Sequence, residues 1–314
     1  MRNLFDLLAG AKLLLQDVKR GLRRYLSNFV FPAQLDEFMK FTVLGSGSTG
    51  NSMLIATERT KVLVDAGLNR RETLRRLELV GVDSSELDGV IITHEHSDHV
   101  GGLRNLVAEI KCTVFISGET EEAYYSTPRP NGRGNDEGIK RKEALRSKTA
   151  KIESNREFRI GDIDFEPFTV PHDAADNFGF VAKSSGVRFA TLTDFGHITD
   201  SMKEMLLNCD AIIIESNHSR DMLRACPHYN WSLKQRIAGR HGHFSNEDLA
   251  EWLQKDFDGA ARDIVLAHLS QKANDIHLAR ITAETALKSR PPLFSAETRI
   301  TLSSHSEPSQ WFSY

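Results

Sequence analysis

One short segment rich in histidine constrains the fold of this chain more than any other feature. The apolar residues 89–92 predict a buried strand. The loop after it contains four residues of metal-ligand type: His94, His96, Asp98 and His99. A loop of this kind presents two neighbouring sets of nitrogen and oxygen ligands, so the pattern predicts a pair of divalent metal ions at the strand end. The alternative, histidines on an ordinary solvated loop, is disfavoured because the four residues lie so close together.

The same segment resembles a known family. Residues 93–99 match the pattern T-H-x-H-x-D-H of the metallo-β-lactamase fold hydrolases. The resemblance implies an α/β fold, a four-layer αββα sandwich, with a dinuclear metal site at the strand ends along one edge. The signature indicates a fold and a metal site but no substrate, because one fold serves many chemistries.

Composition narrows the class of protein. The chain has 314 residues, of which 40% are hydrophobic, so it is long enough to bury a full core. Its net charge of −3 excludes a global positive field, and any nucleic-acid surface must therefore be local. No run of about eighteen apolar residues predicts a membrane-spanning helix. The three cysteines, Cys112, Cys209 and Cys226, are few and odd in number, which favours reduced thiols in a cytoplasm.

The chain divides into three predicted parts: an N-terminal extension (1–38), a hydrolase domain (39–290) and a polar, loosely structured tail (291–314). Within the extension, residues 1–31 have apolar residues at helical spacing beside lysine and arginine, which indicates a basic amphipathic helix. Its partner is a membrane surface or another protein. Three alternatives stay open: a helix folded onto the domain, a disordered tail, and an unused upstream start, since Met39 makes a natural beginning.

A glycine-rich loop at 45–50 satisfies the dinucleotide fingerprint G-x-G-x-x-G. The context excludes that function, because a helix must follow the last glycine, whereas residues 51–56 and 61–65 form two apolar runs typical of a hairpin. By resemblance the loop approaches the substrate; the alternative is a tight turn at a sheet edge. The candidate substrate contacts here are Ser46, Ser48 and Asn51.

A second loop is predicted between residues 119 and 157, where prolines and glycines interrupt any regular pattern. Basic residues outnumber acidic ones, particularly over 126–151. This basic loop is a candidate for binding phosphates, although a solvated run of charge is an equally good explanation.

Further ligand-type residues follow apolar runs in the same way as the first histidines. They are Asp65 after 61–64, His172 after 163–170, Asp194 after 189–193 and His268 after 264–267. Taken alone, each of the last three would be assigned to the core or the surface, and it is their common position after strands that indicates a shared site. Asp65 is predicted to accept a hydrogen bond from a ligating imidazole and so to set its tautomer.

Later motifs resemble a narrower group, the YycJ/WalJ proteins, and the resemblance extends from about residue 39 to residue 288. The motifs are residues 171–176, 193–196, 215–218, 242–246 and 267–270. The group implies phosphodiester hydrolysis on double-stranded DNA from the 5′ end, with two Zn²⁺ or Mn²⁺ ions. It also implies a ligand set: His94, His96 and His172 for the first metal, Asp98, His99 and His268 for the second, and Asp194 between them.

Two divalent ions close together hold a bridging hydroxide, and we expect it to attack the scissile phosphate. Asp98 and His243 are the residues expected to be catalytic. His243 lies in a Gly-His-x-Ser segment similar to that of RNase J-type nucleases, which implies that it contacts the phosphate or protonates the leaving oxygen. The predicted helix start at Ser245 adds an anion site. The expected substrate contacts in this part of the chain are Asn217, His218, Ser245 and Asn246; His218 fits an interior histidine equally well.

Two other functions compete. The same metal core serves carbonyl chemistry, so the alternative enzyme is a hydrolase of a small ester, lactone or thioester. A nucleic-acid or membrane binding module with a structural metal is a different class, and the completeness of the ligand set disfavours it because structural sites close their coordination.

Overall fold

The structure is a computed structural model, and it describes residues 39–126, 143, 145–290 and 297–314. The strands, in chain order, are β1 (Lys40–Gly45), β2 (Ser52–Ala56), β3 (Lys61–Val64), β4 (Gly89–Ile91), β5 (Thr113–Ile116), β6 (Thr149–Lys151), β7 (Phe158–Ile160), β8 (Ile163–Thr169), β9 (Phe178–Ser184), β10 (Val187–Leu192), β11 (Ala211–Glu215), β12 (Asp263–Ala267), β13 (Arg299–Leu302) and β14 (Phe312–Ser313). They form two seven-stranded sheets with the orders β14-β1-β2-β3-β4-β5-β6 and β13-β12-β11-β10-β9-β8-β7.

The helices of the described ranges are α1 (Arg70–Leu79), α2 (Ser97–Val100), α3 (Leu103–Val107), α4 (Gly118–Ser126), α5 (Asp200–Leu206), α6 (Arg220–Ala225), α7 (Trp231–Ile237), α8 (Asn246–Lys255) and α9 (Ile276–Lys288), with a 3₁₀ turn at Ser84–Glu86. Polar residues begin several of them: the side chains of Asn69, Thr199 and Ser245 accept hydrogen bonds from the first turns of α1, α5 and α8. The predicted helix start at Ser245 is therefore present.

Alternation of side chains along the strands separates the core into layers. In β11 all five residues are buried; Ile213 packs between the sheets, whereas Ile212 and Ile214 pack against the helices on the outer face. A third apolar cluster, which contains Leu77 and Leu103, lies between the first sheet and its helices. Three apolar layers between four structural layers are the arrangement of the αββα sandwich that the sequence predicts.

Each sheet is half antiparallel and half parallel. Strands β3 to β6 are parallel to one another in the first sheet, and β10 to β13 are parallel in the second. The carboxyl ends of parallel strands lie at one edge of a sheet, which is where open α/β sheets bind ligands. The predicted hairpin is also present, as the antiparallel pair β2 and β3.

The region 119–157 is more regular than predicted. α4 extends to Ser126, and β6 forms an edge strand parallel to β5, because tertiary pairing overrides a weak local pattern. Residues 127–142 and 144, which include most of the predicted basic loop, lie outside the described residues. Lys148 donates to the carbonyls of Val107 and Ile110 (2.7 and 2.6 Å), and Lys151 pairs with Glu121. These two lysines therefore serve the fold and not a phosphate site.

The prediction of a loose tail beyond residue 290 is wrong for residues 297–314. β13 pairs in parallel with β12, and β14 pairs with β1. Phe312 stacks on Phe41 with ring centroids 4.7 Å apart. The polar composition concealed these strands, because each of them is short and is stabilised by a partner far away in the sequence.

The predicted amphipathic helix within residues 1–31 lies outside the described residues, as does the rest of the extension to residue 38. Within the described ranges, no helix combines the length and the apolarity needed to cross a bilayer.

Candidate metal centre and active-site cleft

Strands of both sheets deliver polar side chains to one edge. β3 ends before Asp65, β4 before the loop with His94, and β8 before His172 in the next turn; β10 ends before Asp194 and β12 before His268. Because these strand ends meet, residues from distant parts of the sequence, from Asp65 to His268, lie together. We call the seven predicted ligands the metal-ligand cluster: His94, His96, Asp98, His99, His172, Asp194 and His268.

The first part of the cluster consists of His94, His96 and His172, whose nearest ring nitrogens lie within 4.8 Å of one another. His172 Nε2 is 3.2 Å from His96 Nδ1, and its Nδ1 donates to the carbonyl of Gly242 at 3.1 Å. That hydrogen bond sets the tautomer of His172 and leaves Nε2 with its lone pair.

The second part consists of Asp98, His99, Asp194 and His268, again within 4.8 Å. His99 Nε2 lies 3.1 Å from Asp194 Oδ2, and His268 Nε2 lies 3.4 Å from Asp98 Oδ2. Both carboxylates, Asp98 and Asp194, contact His99 and His268, and the contacts of Asp194 are the shorter ones, at 3.1 and 3.2 Å.

His94 Nε2 is buried and has no hydrogen-bond partner, and the buried atoms Asp194 Oδ2 and His268 Nε2 have only other members of the cluster beside them, His99 and Asp98 respectively. A buried polar atom without a partner costs about 1–3 kcal/mol. Imidazole nitrogens and carboxylate oxygens that face one another in this way are the ligands of divalent transition metals. The residues present therefore fit a divalent metal site.

The pKa shifts of His94, His172 and Asp98 favour the forms that bind a cation, whereas the neighbouring carboxylates raise the pKa of His99 and His268. Burial, together with the neighbouring His99, holds the pKa of His94 well below its ordinary value, and burial also lowers the pKa of His172. Burial by itself would raise the pKa of Asp98, but the charge of His99 and a hydrogen bond to His268 outweigh it and bring the pKa to about 2. Neutral imidazoles and ionised carboxylates are the forms that bind metal.

Asp65 makes the contact that the sequence predicts. Its carboxylate accepts hydrogen bonds from the backbone and hydroxyl of Thr93, and Oδ2 lies 2.7 Å from His99 Nδ1. With Nδ1 donating to Asp65, His99 presents Nε2 to Asp194.

The backbone at three of these residues is strained. Asp65, Asp194 and His268 have positive φ angles of 62°, 60° and 54°. A side chain in this left-handed region costs roughly 1–3 kcal/mol and persists only where the surrounding structure imposes it. The chain turns sharply at the end of β3, β10 and β12, and the strained residue is in each case the one that faces the site.

Glu215 was not among the predicted site residues, yet it joins two of them. Its Oε1 lies 2.7 Å from His268 Nδ1 and 2.8 Å from His243 Nδ1. Its Oε2 accepts hydrogen bonds from the backbone of Phe195 and Phe244 (3.0 and 3.1 Å). The signal in the sequence was a carboxylate that ends a buried apolar strand, because a fully buried charge needs partners.

His243 borders a cleft of about 370 Å³ that also contains His96, Asp98 and His172. Its side chain is 22% exposed, and Nδ1 faces Glu215. Burial lowers the pKa of His243, but the Glu215 carboxylate raises it above the ordinary value. With Nδ1 turned towards Glu215, Nε2 is the remaining nitrogen of the ring.

The structure corrects most of the predicted substrate contacts. Asn217 and Ser48 border the cleft, although Asn217 is largely buried and its amide donates to the carbonyl of His268 at 2.8 Å. The other candidates are buried, and hydrogen bonds inside the protein occupy the side chains of four of them: Ser46 accepts from the backbone of His268, Asn51 contacts Asp98 and His99, Ser245 begins α8, and Asn246 contacts Ser216 and Asn274. These four side chains therefore support the site from the protein interior.

His218 is the fifth of these candidates. It is 1% exposed, and burial lowers its pKa to about 4. It is therefore an interior histidine, which is the alternative that the sequence left open.

Comparisons with known proteins agree with this arrangement. A family model described as a β-lactamase superfamily domain matches residues 60–269, a range that includes the whole metal-ligand cluster. The exodeoxyribonuclease YycJ of Bacillus anthracis is 33% identical over 260 residues, which cover 80% of this chain and 90% of that protein. The exodeoxyribonuclease WalJ of Streptococcus pneumoniae serotype 2 is 34% identical over 243 residues, 77% of this chain and 86% of that one. The Zn²⁺-bound PqqB of Methylobacterium extorquens shares the fold, with a TM-score of 0.61 and 14% identity over 86% of this chain and 99% of its own.

Proposed function

Since the chain belongs to the metallo-β-lactamase superfamily and is a metal-dependent hydrolase of its YycJ/WalJ group, we propose that it hydrolyses phosphodiester bonds of double-stranded DNA from the 5′ end. The observation that carries the proposal is the position of His243. A histidine oriented by a buried carboxylate lies in the same cleft as the metal-ligand cluster, where a scissile phosphate has to be placed.

The metal-ligand cluster is proposed to hold two ions, Zn²⁺ or Mn²⁺. His94, His96 and His172 would hold the first and Asp98, His99 and His268 the second, and Asp194, which lies with the second set, would serve as the shared ligand. When bound, the ions supply a water of lowered pKa and stabilise negative charge on the phosphate.

The residues of the chain contribute orientation and a proton. Asp65 and Glu215 hold His99 and His268 through Nδ1, so that each Nε2 is aimed at the cluster. Glu215 also stabilises the protonated form of His243, and His243 donates that proton to the leaving oxygen. Among the predicted contacts from the later motifs, Asn217 is the one that borders the cleft.

The size of the cleft limits which substrates can enter it. Its volume of about 370 Å³ lies at the lower end of the range for small-ligand pockets, about 300–1,000 Å³. A single nucleotide fits such a space, and on this ground we propose attack at a strand end. The three cysteines of the chain are free, which is consistent with the proposed cytoplasmic location.

The test is an assay of the full chain on duplexes of DNA and of RNA labelled at the 5′ or the 3′ end, with Mn²⁺ or Zn²⁺ added separately. Release of the 5′-labelled nucleotide from DNA before any internal fragment supports the proposal. A panel of small esters, lactones and thioesters runs beside it. Turnover of one of these compounds without any cleavage of DNA would contradict the proposed nuclease activity and support the alternative, a hydrolase of small esters, lactones or thioesters.

A further inference from the structure

The cleft has a second side that no step above uses. This side is lined by Tyr229, Leu233, Arg236 and Ile237, to which the proposed mechanism gives no role, and we call these four residues the α7 wall. Leu233, Arg236 and Ile237 are spaced three and four positions apart, so they share one face of α7. None of the residues of α7 is buried, although the helix borders the site.

The α7 wall lies in a basic part of an acidic chain. Residues 222–246 contain four lysines and arginines and no aspartate or glutamate, whereas the whole chain has a net charge of −3. Two of these four residues, Arg224 and Arg236, are paired with Asp221 and Asp173, and positive charge at the border of a cleft attracts a polyanion to it.

The guanidinium of Arg236 has hydrogen-bond donors that the protein itself does not use. Its Nε donates to Asp173, the residue after the cluster member His172, and this ion pair fixes the direction of the side chain. Among the described residues, neither Nη1 nor Nη2 has a hydrogen-bond partner, and the side chain is 60% exposed. A guanidinium that is held by one edge and free at the other is well suited to bind a phosphate through two parallel hydrogen bonds.

The rest of the wall suits a nucleoside. Tyr229 is tied to the loop after β12, because its hydroxyl lies 3.4 Å from Ser270 Oγ. Lys272 Nζ of that loop is 5.8 Å from the centre of the Tyr229 ring. An aromatic ring beside two aliphatic side chains provides a surface on which a base or a sugar packs, and such stacking tolerates any sequence.

We propose that the α7 wall is the subsite for the nucleotide next to the scissile bond of a DNA strand. Arg236 binds the phosphate that follows the scissile one, and Tyr229, Leu233 and Ile237 pack against the nucleoside between the two phosphates. The inference rests on the proposed function for the choice of DNA as ligand, but its test measures binding and not cleavage.

The experiment uses the metal-loaded full chain and a fluorescent duplex with a 5′ phosphate and terminal phosphorothioate linkages, which resist hydrolysis. Anisotropy gives Kd between about 50 and 200 mM salt. We expect Arg236→Ala to raise Kd about tenfold and to reduce the slope of log Kd against log salt by about 0.9, the value for one lost phosphate contact. Arg236→Lys should keep the slope and recover part of the affinity.

Arg224→Ala is the matched control. It removes the same charge from the same basic segment, but Arg224 is paired with Asp221 and lies outside the cleft. Its Kd should stay within about twofold of the wild type, because salt screens distant charges. Tyr229→Phe should bind like the wild type and Tyr229→Ala more weakly.

Equal effects of the Arg236 and Arg224 substitutions would overturn the inference, as would a wild-type chain that does not bind the duplex. If binding depends on Arg236 while the unmodified duplex is never cleaved, the α7 wall stands as a DNA subsite and the proposed exonuclease activity fails.

Discussion

The metal-ligand cluster and the α7 wall border one cleft but differ in how their polar groups are satisfied. In and around the cluster, Asp194 and Glu215 are 2% and 0% exposed, and Glu215 accepts hydrogen bonds from four groups of the protein. In the wall, the Arg236 side chain is 60% exposed and uses one nitrogen. The protein therefore sets the geometry of the cluster in advance, whereas the wall keeps donors free for a ligand. Substitutions in the cluster should therefore impair metal binding and cleavage, whereas substitutions in the wall should impair DNA binding.

The largest effect is expected from the cluster itself. His94→Ala or Asp98→Ala should reduce cleavage of a 5′-labelled duplex by more than about a thousandfold, because each change removes a ligand and leaves buried partners unpaired. Initial rates and bound metal are measured on the same preparations. His277→Ala, an exposed histidine on α9, is the matched control and should leave both unchanged. Full cleavage by both cluster variants would contradict the proposed mechanism.

His243→Ala should separate chemistry from metal binding. The loss of a proton donor typically lowers a rate by about 10²–10⁴-fold, while the seven residues of the cluster remain in place. We expect normal metal content beside a kcat reduced to that extent. Loss of metal in parallel with kcat would instead make His243 part of the metal site, which its contact with Glu215 would then explain.

Glu215→Gln should give a smaller, conditional loss. Residues that orient a metal ligand usually contribute about 10–100-fold to metal affinity. Because Glu215 holds His268, we expect weaker metal binding whose effect on kcat is partly reversed by excess metal. His243→Ala should show no such rescue. A Glu215→Gln variant with wild-type metal affinity would show that the carboxylate does not position His268.

Metal removal should destabilise the cluster and leave the wall unaffected. A ligand present at one hundred times its Kd stabilises the folded state by about 2.7 kcal/mol, so a chelator should lower Tm. Asp98→Ala should show a much smaller shift on chelation. Hydrogen exchange should rise in residues 93–100 and stay constant in α7, which has no buried residue. Equal increases in both segments would mean that the two sides of the cleft are one cooperative unit.

The smallest effect is expected for Ser46→Ala. Ser46 accepts a hydrogen bond from the backbone of His268 at 2.7 Å, and removing the acceptor should cost about 1–3 kcal/mol of stability. Binding of the duplex should not change, because the side chain is inside the protein. A raised Kd with an unchanged Tm would instead support the prediction from the sequence that Ser46 contacts the substrate.

The sequence predicted that the residues of the metal-ligand cluster share one site, and the structure brings them together. This prediction was possible because its signals are local. Four ligand types within six positions, and single ligands directly after apolar runs, depend only on neighbouring residues. The same reasoning was weak for Ser46, Asn51, Ser245 and Asn246. A polar residue in a loop looks the same whether it faces the cleft or the layer behind it, and only the packing of the second sheet separates the two.

The order of residues along the chain thus determined the fold class, confirmed by the family match and by the two sheets, and the ligand types of the metal site. Tertiary structure alone decided that Glu215 links His243 to His268, that Asp65, Asp194 and His268 adopt left-handed backbone angles, and that residues 297–314 complete both sheets. The physical reason is the sequence distance between the residues that determine each feature. Ligand chemistry and strand periodicity are properties of a few consecutive residues, whereas a shared carboxylate, an imposed φ angle and an edge strand exist only through partners brought from elsewhere in the chain.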